Sequence, residues 1–181
     1  KPAMRTSPAL VRRILFVLTI ALVNCSMASL VRAADAVEKS AAVHKILSCN
    51  IRVPLEEDAK AGDGWDARRE MCADVIAARQ GDIVCLQEAT AEQLEFLKEK
   101  MPQYDSFALS NPTPEFRPNN AILYERDRYE LVSPGGLWLS ERQHVAGSKS
   151  WDSAAVRFEN WVHLRERANG RALRVWNTHL D

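Results

Sequence analysis

The sequence predicts an α/β layered fold with a mixed sheet, and three observations carry that expectation. Between His44 and Met101, short apolar runs alternate with stretches of helical spacing in the order strand, helix, strand, helix. From Ala121 onward the helical spacing disappears, and short apolar runs are separated by turn residues. The 181 residues are 46% hydrophobic and 27% charged, enough for the core of one domain. The same composition excludes a disordered tail, a collagen-like fibre and a multi-pass membrane protein.

Along the chain, Arg5, Arg12 and Arg13 precede the uncharged apolar run Ile14–Val23. Small residues follow, and Val31-Arg32-Ala33 fits a small-x-Ala cleavage pattern. The expectation is a signal peptide over 1–33 and export, either secretion or delivery to the periplasm or cell envelope. The run is short of the roughly 20 apolar residues of a membrane span, so no stable span is expected after cleavage. An uncleaved N-terminal anchor is the competing reading. Residues 34–43 are polar and alanine-rich, a linker.

His44–Ile51 reads as a strand, and the acidic, glycine-containing stretch Pro54–Gly64 as a loop. Asp66 looks like an N-cap, with Met71, Val75 and Ile76 at helical spacing until Gly81. Asp82–Glu88 is an apolar strand ending in polar residues. Thr90 opens a second helix, with Glu92 and Gln93 in its first turn and Leu94 and Leu97 on one face. It should end near Met101-Pro102. Ala121–Tyr124, Tyr129–Val132, Leu137–Leu139, Ala154–Phe158 and Ala172–Asn177 are short strand candidates. Asn169-Gly170 is a hairpin-turn dipeptide ahead of the last of them.

Formal charge is zero, unevenly spread. Five of the 24 basic residues and none of the 24 acidic ones precede Ala34, leaving 19 against 24 and a net −5 beyond it. A general nucleic-acid binder usually shows the opposite sign, so nucleic acid is not favoured as a partner. Cys49, Cys72 and Cys85 lack metal-ligand spacing and sit among apolar residues, as buried thiols do. A Cys49–Cys85 disulfide on neighbouring strands is the competing arrangement. Trp65, Trp138, Trp151, Trp161 and Trp176 read as packing residues, and His44, His144 and His163 as ordinary histidines.

Polar residues gather where the strands end: Asn50 after the first, Glu88 after the second, His179 and Asp181 after the last. Such ends converge on one rim in open α/β sheets. A carboxylate and an amide oxygen suit hard cations such as Mg²⁺, Ca²⁺ or Mn²⁺. A histidine on the same rim could contact phosphate or a leaving group.

Three motifs sharpen this. Ser48-Cys-Asn-Ile-Arg52, Trp65-Asp-Ala-Arg-Arg69 and Gly81-Asp-Ile-Val-Cys-Leu-Gln-Glu88 resemble the opening of the endonuclease/exonuclease/phosphatase superfamily. The superfamily includes deoxyribonucleases, abasic-site endonucleases, neutral sphingomyelinases, inositol polyphosphate 5-phosphatases and deadenylases. The resemblance continues through Asn120–Leu131, Gly136–Glu141, Ser150–Ala155 and Asn177-Thr-His-Leu-Asp181, in the right order. It implies a four-layer α-β-β-α sandwich of mixed sheets, with the domain running over 44–181. It implies a metal-dependent phosphoesterase acting on a phosphate-ester substrate by in-line attack of water. Asn50 and Glu88 would bind Mg²⁺ (or Mn²⁺), His179 would contact the scissile phosphate, and Arg157 would lie near it.

Two departures qualify the resemblance. Many relatives place a glutamate that orients the histidine just before the strand matching Ala121–Tyr124, where this chain has Pro118-Asn119-Asn120. The orienting role would then fall to Asn119, to Asn120 or to nothing, with Glu115 out of register. The Gly-Asp-Phe-Asn and Ser-Asp-His segments that complete the family site do not occur before Asp181, and the sequence starts at Lys1 with Met4 as a start candidate. The expectation is the N-terminal part of a longer domain, inactive by itself. A non-catalytic extracellular binding module that keeps the fold is the alternative.

Overall fold

In a computed structural model, residues 43–109 and 119–180 are described. The expected signal peptide, all of the linker but Val43, and Glu115 and Asp181 lie outside them. Two sheets form. The first has the order β1-β2-β4-β3, from β1 (Ile46–Asn50), β2 (Ile83–Gln87), β3 (Tyr104–Phe107) and β4 (Ile122–Glu125). Its β1 and β2 run parallel and its other pairs antiparallel, so the sheet is mixed. The second is antiparallel, β5 (Tyr129–Trp138), β6 (Phe158–Glu166) and β7 (Ala172–Thr178).

β2 is central, and all five of its residues are buried because both of its faces are covered. On one face, Val84 and Leu86 meet Ala73, Ile76 and Leu97 from the helices. On the other, Ile83 and Cys85 join Ile122 and Tyr124 against Val162, Leu164 and Val175 of the second sheet. Three layers result: helices, mixed sheet, antiparallel sheet. The other face of the second sheet has no helix over it among the described residues, and Trp176 stands 53% exposed there. No described helix is long and apolar enough to cross a membrane.

The helices are α1 (Glu56–Ala61), α2 (Trp65–Ala78) and α3 (Ala91–Lys100). α1 corrects the loop expected over Pro54–Gly64. It buries no residue, so no apolar period announces it. Its acidic first turn suits the helix dipole, Lys60 pairs with Glu56 one turn back, and Gly62 closes it in the left-handed region. α2 starts after Gly64 rather than at Asp66, and it buries Trp65, Ala73 and Ile76. Met71 and Val75 face solvent instead. α3 matches expectation, with Thr90 and Gln93 forming a reciprocal capping box.

Three strand expectations change. Tyr129–Val132 and Leu137-Trp138 belong to one strand, β5, which runs through Pro134-Gly135-Gly136 with a bulge between Leu131 and Ser133 and ends before Leu139. A Cβ on Gly135 would lie 2.5 Å from the Trp161 ring, and one on Gly136 2.5 Å from Glu159 O. The glycines therefore admit a crossing indole and a close backbone, and Pro134 is tolerated because β5 is an edge strand. Ala154–Arg157 is irregular, and β6 begins at Phe158, further on than expected. β3 carries no strong sequence signal and pairs with β4.

All three described cysteines are free. β1 pairs with β2 so that Cys49 stands opposite Leu86 and Cys85 opposite Ser48. Cys49 thus packs toward the helices and Cys85 toward the second sheet, on opposite faces, which excludes a bridge between them.

Candidate functional site

β1 and β2 are parallel neighbours, so their C-terminal ends lie side by side. Both chains leave their strand through a left-handed residue, Arg52 at φ 57° and Glu88 at φ 60°. Each such conformation costs a non-glycine residue about 1 kcal/mol or more, and the surroundings must hold it. The amide of Arg52 donates to Asn50 Oδ1, while Arg68 and the Gln93 amide both donate to Arg52 O. Beyond Glu88, Ala89 and Asn119 exchange both backbone hydrogen bonds.

This geometry turns the Glu88 carboxylate back toward β1. Asn50 Nδ2 donates to its Oε1 at 2.9 Å and the Val53 amide to its Oε2 at 2.9 Å. His179, one residue beyond β7, brings Nδ1 to 3.9 Å from the same Oε1. Burial alone would raise the Glu88 carboxyl. The donors from Asn50 and Val53, with His179 and Arg52 nearby, hold it below the ordinary carboxylate range. Glu88 is therefore a charged, half-buried carboxylate at neutral pH.

Asn50, Glu88 and His179, named from the strand ends, come together. Glu88 and His179 line a cleft of about 490 Å³, and Ala155–Phe158, including Arg157, lines it as well. Val53, Leu55, Val156 and Phe158 give it apolar lining. Sequence reasoning assigned no role to Arg52, which also lines the cleft and pairs bidentately with Asp58 of α1 at 2.6 and 2.8 Å. The signal available was its place two residues past a strand end. The pairing holds Asp58 below and Arg52 above their ordinary ranges.

Neither Asn119 nor Asn120 hydrogen-bonds His179 in this structure, although Asn120 lines the same cleft. Asn119 Nδ2 donates to Leu109 O, and Asn120 Nδ2 to Phe158 O. Asn119 Oδ1 accepts from the Asn120 amide and from Asn160 Nδ2. Asn120 and Asn119 thus both tie the first sheet to β6, through Phe158 O and Asn160 Nδ2. Among the tryptophans, Trp65 and Trp138 are buried, whereas Trp151 and Trp176 are exposed, against the expectation that all five pack.

No protein-family model and no curated protein matches the chain. Solved structures do. An endonuclease/exonuclease/phosphatase family protein from Bacteroides thetaiotaomicron is 31% identical over 76% of this chain and 51% of its own, with a TM-score of 0.71. A mannosyl-6-phosphatase of the same organism is 31% identical over 77% of this chain and 52% of its own, also at 0.71. A family member from Bacteroides vulgatus is 25% identical, covering 76% and 52% of the two chains at 0.70. In its fold and in the order of its motifs the chain is similar to endonuclease/exonuclease/phosphatase family proteins, and it spans about half the length of those it matches.

Proposed function

We propose that this chain contributes the cation-binding and phosphate-contacting half of a hydrolase site for phosphate esters. The observation that supports this most is the convergence of Asn50, Glu88 and His179 on one carboxylate oxygen at the rim shared by two sheets. The ionised Glu88 carboxylate suits a hard divalent cation, and no cysteine lines the cleft among the described residues. The Asn50 amide, which here turns Nδ2 to Glu88 and Oδ1 to the Arg52 amide, would have to flip to add its oxygen. Magnesium, which usually keeps several waters and takes one or two carboxylates, suits so sparse a set, and manganese suits it next. Such a cation supplies charge neutralisation at the phosphoryl group. Glu88 would hold it, with the Asn50 amide as second ligand. His179 would donate a hydrogen bond to a phosphoryl oxygen, and Arg157 would approach the same group from elsewhere in the cleft. The water-activating aspartate implied by the family resemblance is not among these residues.

A small ester is favoured over long nucleic acid as substrate. The net charge of −5 beyond Ala33 opposes a polyanion, and Arg52 is largely neutralised by Asp58 and Glu57. The cleft also has an apolar lining, and one 31%-identical neighbour is named as a mannosyl-6-phosphatase. Export through the N-terminal signal segment belongs to the same reading, and finding the mature N-terminus near Ala34 in the native host tests it. The alternative, a non-catalytic binding module, draws on the amides at Asn119 and Asn120 where a carboxylate is expected.

The deciding experiment compares wild type, Glu88→Gln and the solvent-facing control Met71→Gln in the full-length protein. Phosphomonoester and phosphodiester hydrolysis are assayed with Mg²⁺, with Mn²⁺ and with excess EDTA. Glu88→Gln keeps the shape and removes the charge, so turnover should fall at least about a hundredfold while Met71→Gln leaves it unchanged. Hydrolysis that survives EDTA rejects the cation reading, and no hydrolysis of either ester class favours the binding module.

A further inference from the structure

Glu88 and His179 sit on different sheets. β2 pairs with β1 and β4, and β7 pairs with β6, so no shared ladder fixes one strand end against the other. The apolar contacts between the sheets, Ile83, Cys85 and Ile122 against Val162, Leu164 and Val175, are non-directional and tolerate sliding. Directional contact comes from hydrogen bonds: Asn120 and Asn160 cross between the sheets further along, and two buried amides do so immediately behind the site. Gln87 Nε2 donates to Asn177 Oδ1 at 2.7 Å, and Asn177 Nδ2 donates to Leu86 O at 2.7 Å and Ala121 O at 2.9 Å. Gln87 is one residue before Glu88, and Asn177 two before His179.

We propose that Asn177, strapped to Gln87 and to the carbonyls of Leu86 and Ala121, is a positioning residue that sets where the His179 imidazole stands relative to the Glu88 carboxylate. The proposal rests on the reading of the site given above and deepens it. Asn177 is 4% exposed and points into the sandwich, so it does not touch substrate and acts through β7. A leucine of similar size would serve a merely structural role in this apolar interior. An amide that makes three hydrogen bonds to the opposite sheet specifies a register as well as filling space. A misplacement of about 1 Å at a reacting group is enough to lower turnover up to about a hundredfold.

The test uses the full-length protein with Asn177→Leu, Gln87→Met and the length-swapped pair Gln87→Asn with Asn177→Gln. Folding is verified by circular dichroism. The readouts are kcat and KM on a phosphomonoester, Mg²⁺ affinity by calorimetry without substrate, and the His179–Glu88 separation in crystal structures. Asn177→Leu should lower kcat about tenfold to a hundredfold, with KM and Mg²⁺ affinity within about twofold. The separation should lengthen by about 1 Å, and the swapped pair should recover most of the turnover. A folded Asn177→Leu with unchanged separation overturns the proposal, as does a parallel loss of kcat, KM and Mg²⁺ affinity that marks general damage. If Asn177→Leu does not fold, Gln87→Met is judged by the same criteria, since it breaks the strap from the other side and keeps two of its bonds. If wild type proves inactive, it is the functional reading that fails, and the crystallographic separation still decides on the strap.

Discussion

Glu166 is a carboxylate almost sealed from water, with 1% exposure at the far end of β6 from the cleft. Burial alone would raise its carboxyl. Asn169 Nδ2 at 2.8 Å and the Arg128 guanidinium at 2.9 and 3.0 Å reverse that and hold it below its ordinary value. A carboxyl depressed on folding adds stability above the unfolded value, and that contribution disappears as pH falls through the folded one. The stability gap between wild type and Glu166→Gln should therefore be full at pH 7 and shrink as pH drops below about 4.5, read by urea unfolding at each pH. Arg128→Met should cost about 3 kcal/mol at pH 7, because Glu166 and Asp82 both lose their cation. Cys85 provides an independent check. Burial pushes its thiol up to about 11, so iodoacetamide at pH 8 should leave it unlabelled in native protein and label it in denaturant, as peptide mapping would show.

At the scale of elements, legibility followed how local each signal was. β2 and α3 could be read because a continuous apolar run and a capping box are complete within a few residues. β6 was missed because two of its inward positions are Asn160 and Glu166, whose partners lie across the fold, so the alternation looks broken. The Pro-Gly-Gly stretch read as a turn because its reason, the Trp161 ring against Gly135, sits on another strand. The site shows the same division. Asn50, Glu88 and His179 were legible from strand ends and ordered motifs, whereas Gln87 and Asn177 looked like ordinary strand-terminal amides. Two stability measurements belong here. Gly136→Ala drives a Cβ against Glu159 O and should destabilise by about 1–3 kcal/mol in thermal or urea unfolding. Thr90→Ala removes half of the capping box and should cost about 1 kcal/mol.

For the whole molecule, the layering has a colloidal consequence. Trp176 is exposed on the outer face of the second sheet, and β7 pairs with β6 alone among the described residues. An exposed indole beside an open strand edge invites self-association. Residues 34–181 expressed alone should aggregate and lack turnover, and Trp176→Lys should lower their light scattering with little change in melting temperature.

The bond between Gln87 and Asn177 joins residues 90 positions apart, and this gives the site a birth order. Asn50 and Glu88 belong to the stretch that leaves the ribosome first. His179 follows about 5–20 s later at ordinary rates of synthesis. The carboxylate and amide of the site are thus made well before the imidazole, and the three cannot meet until β7 has docked.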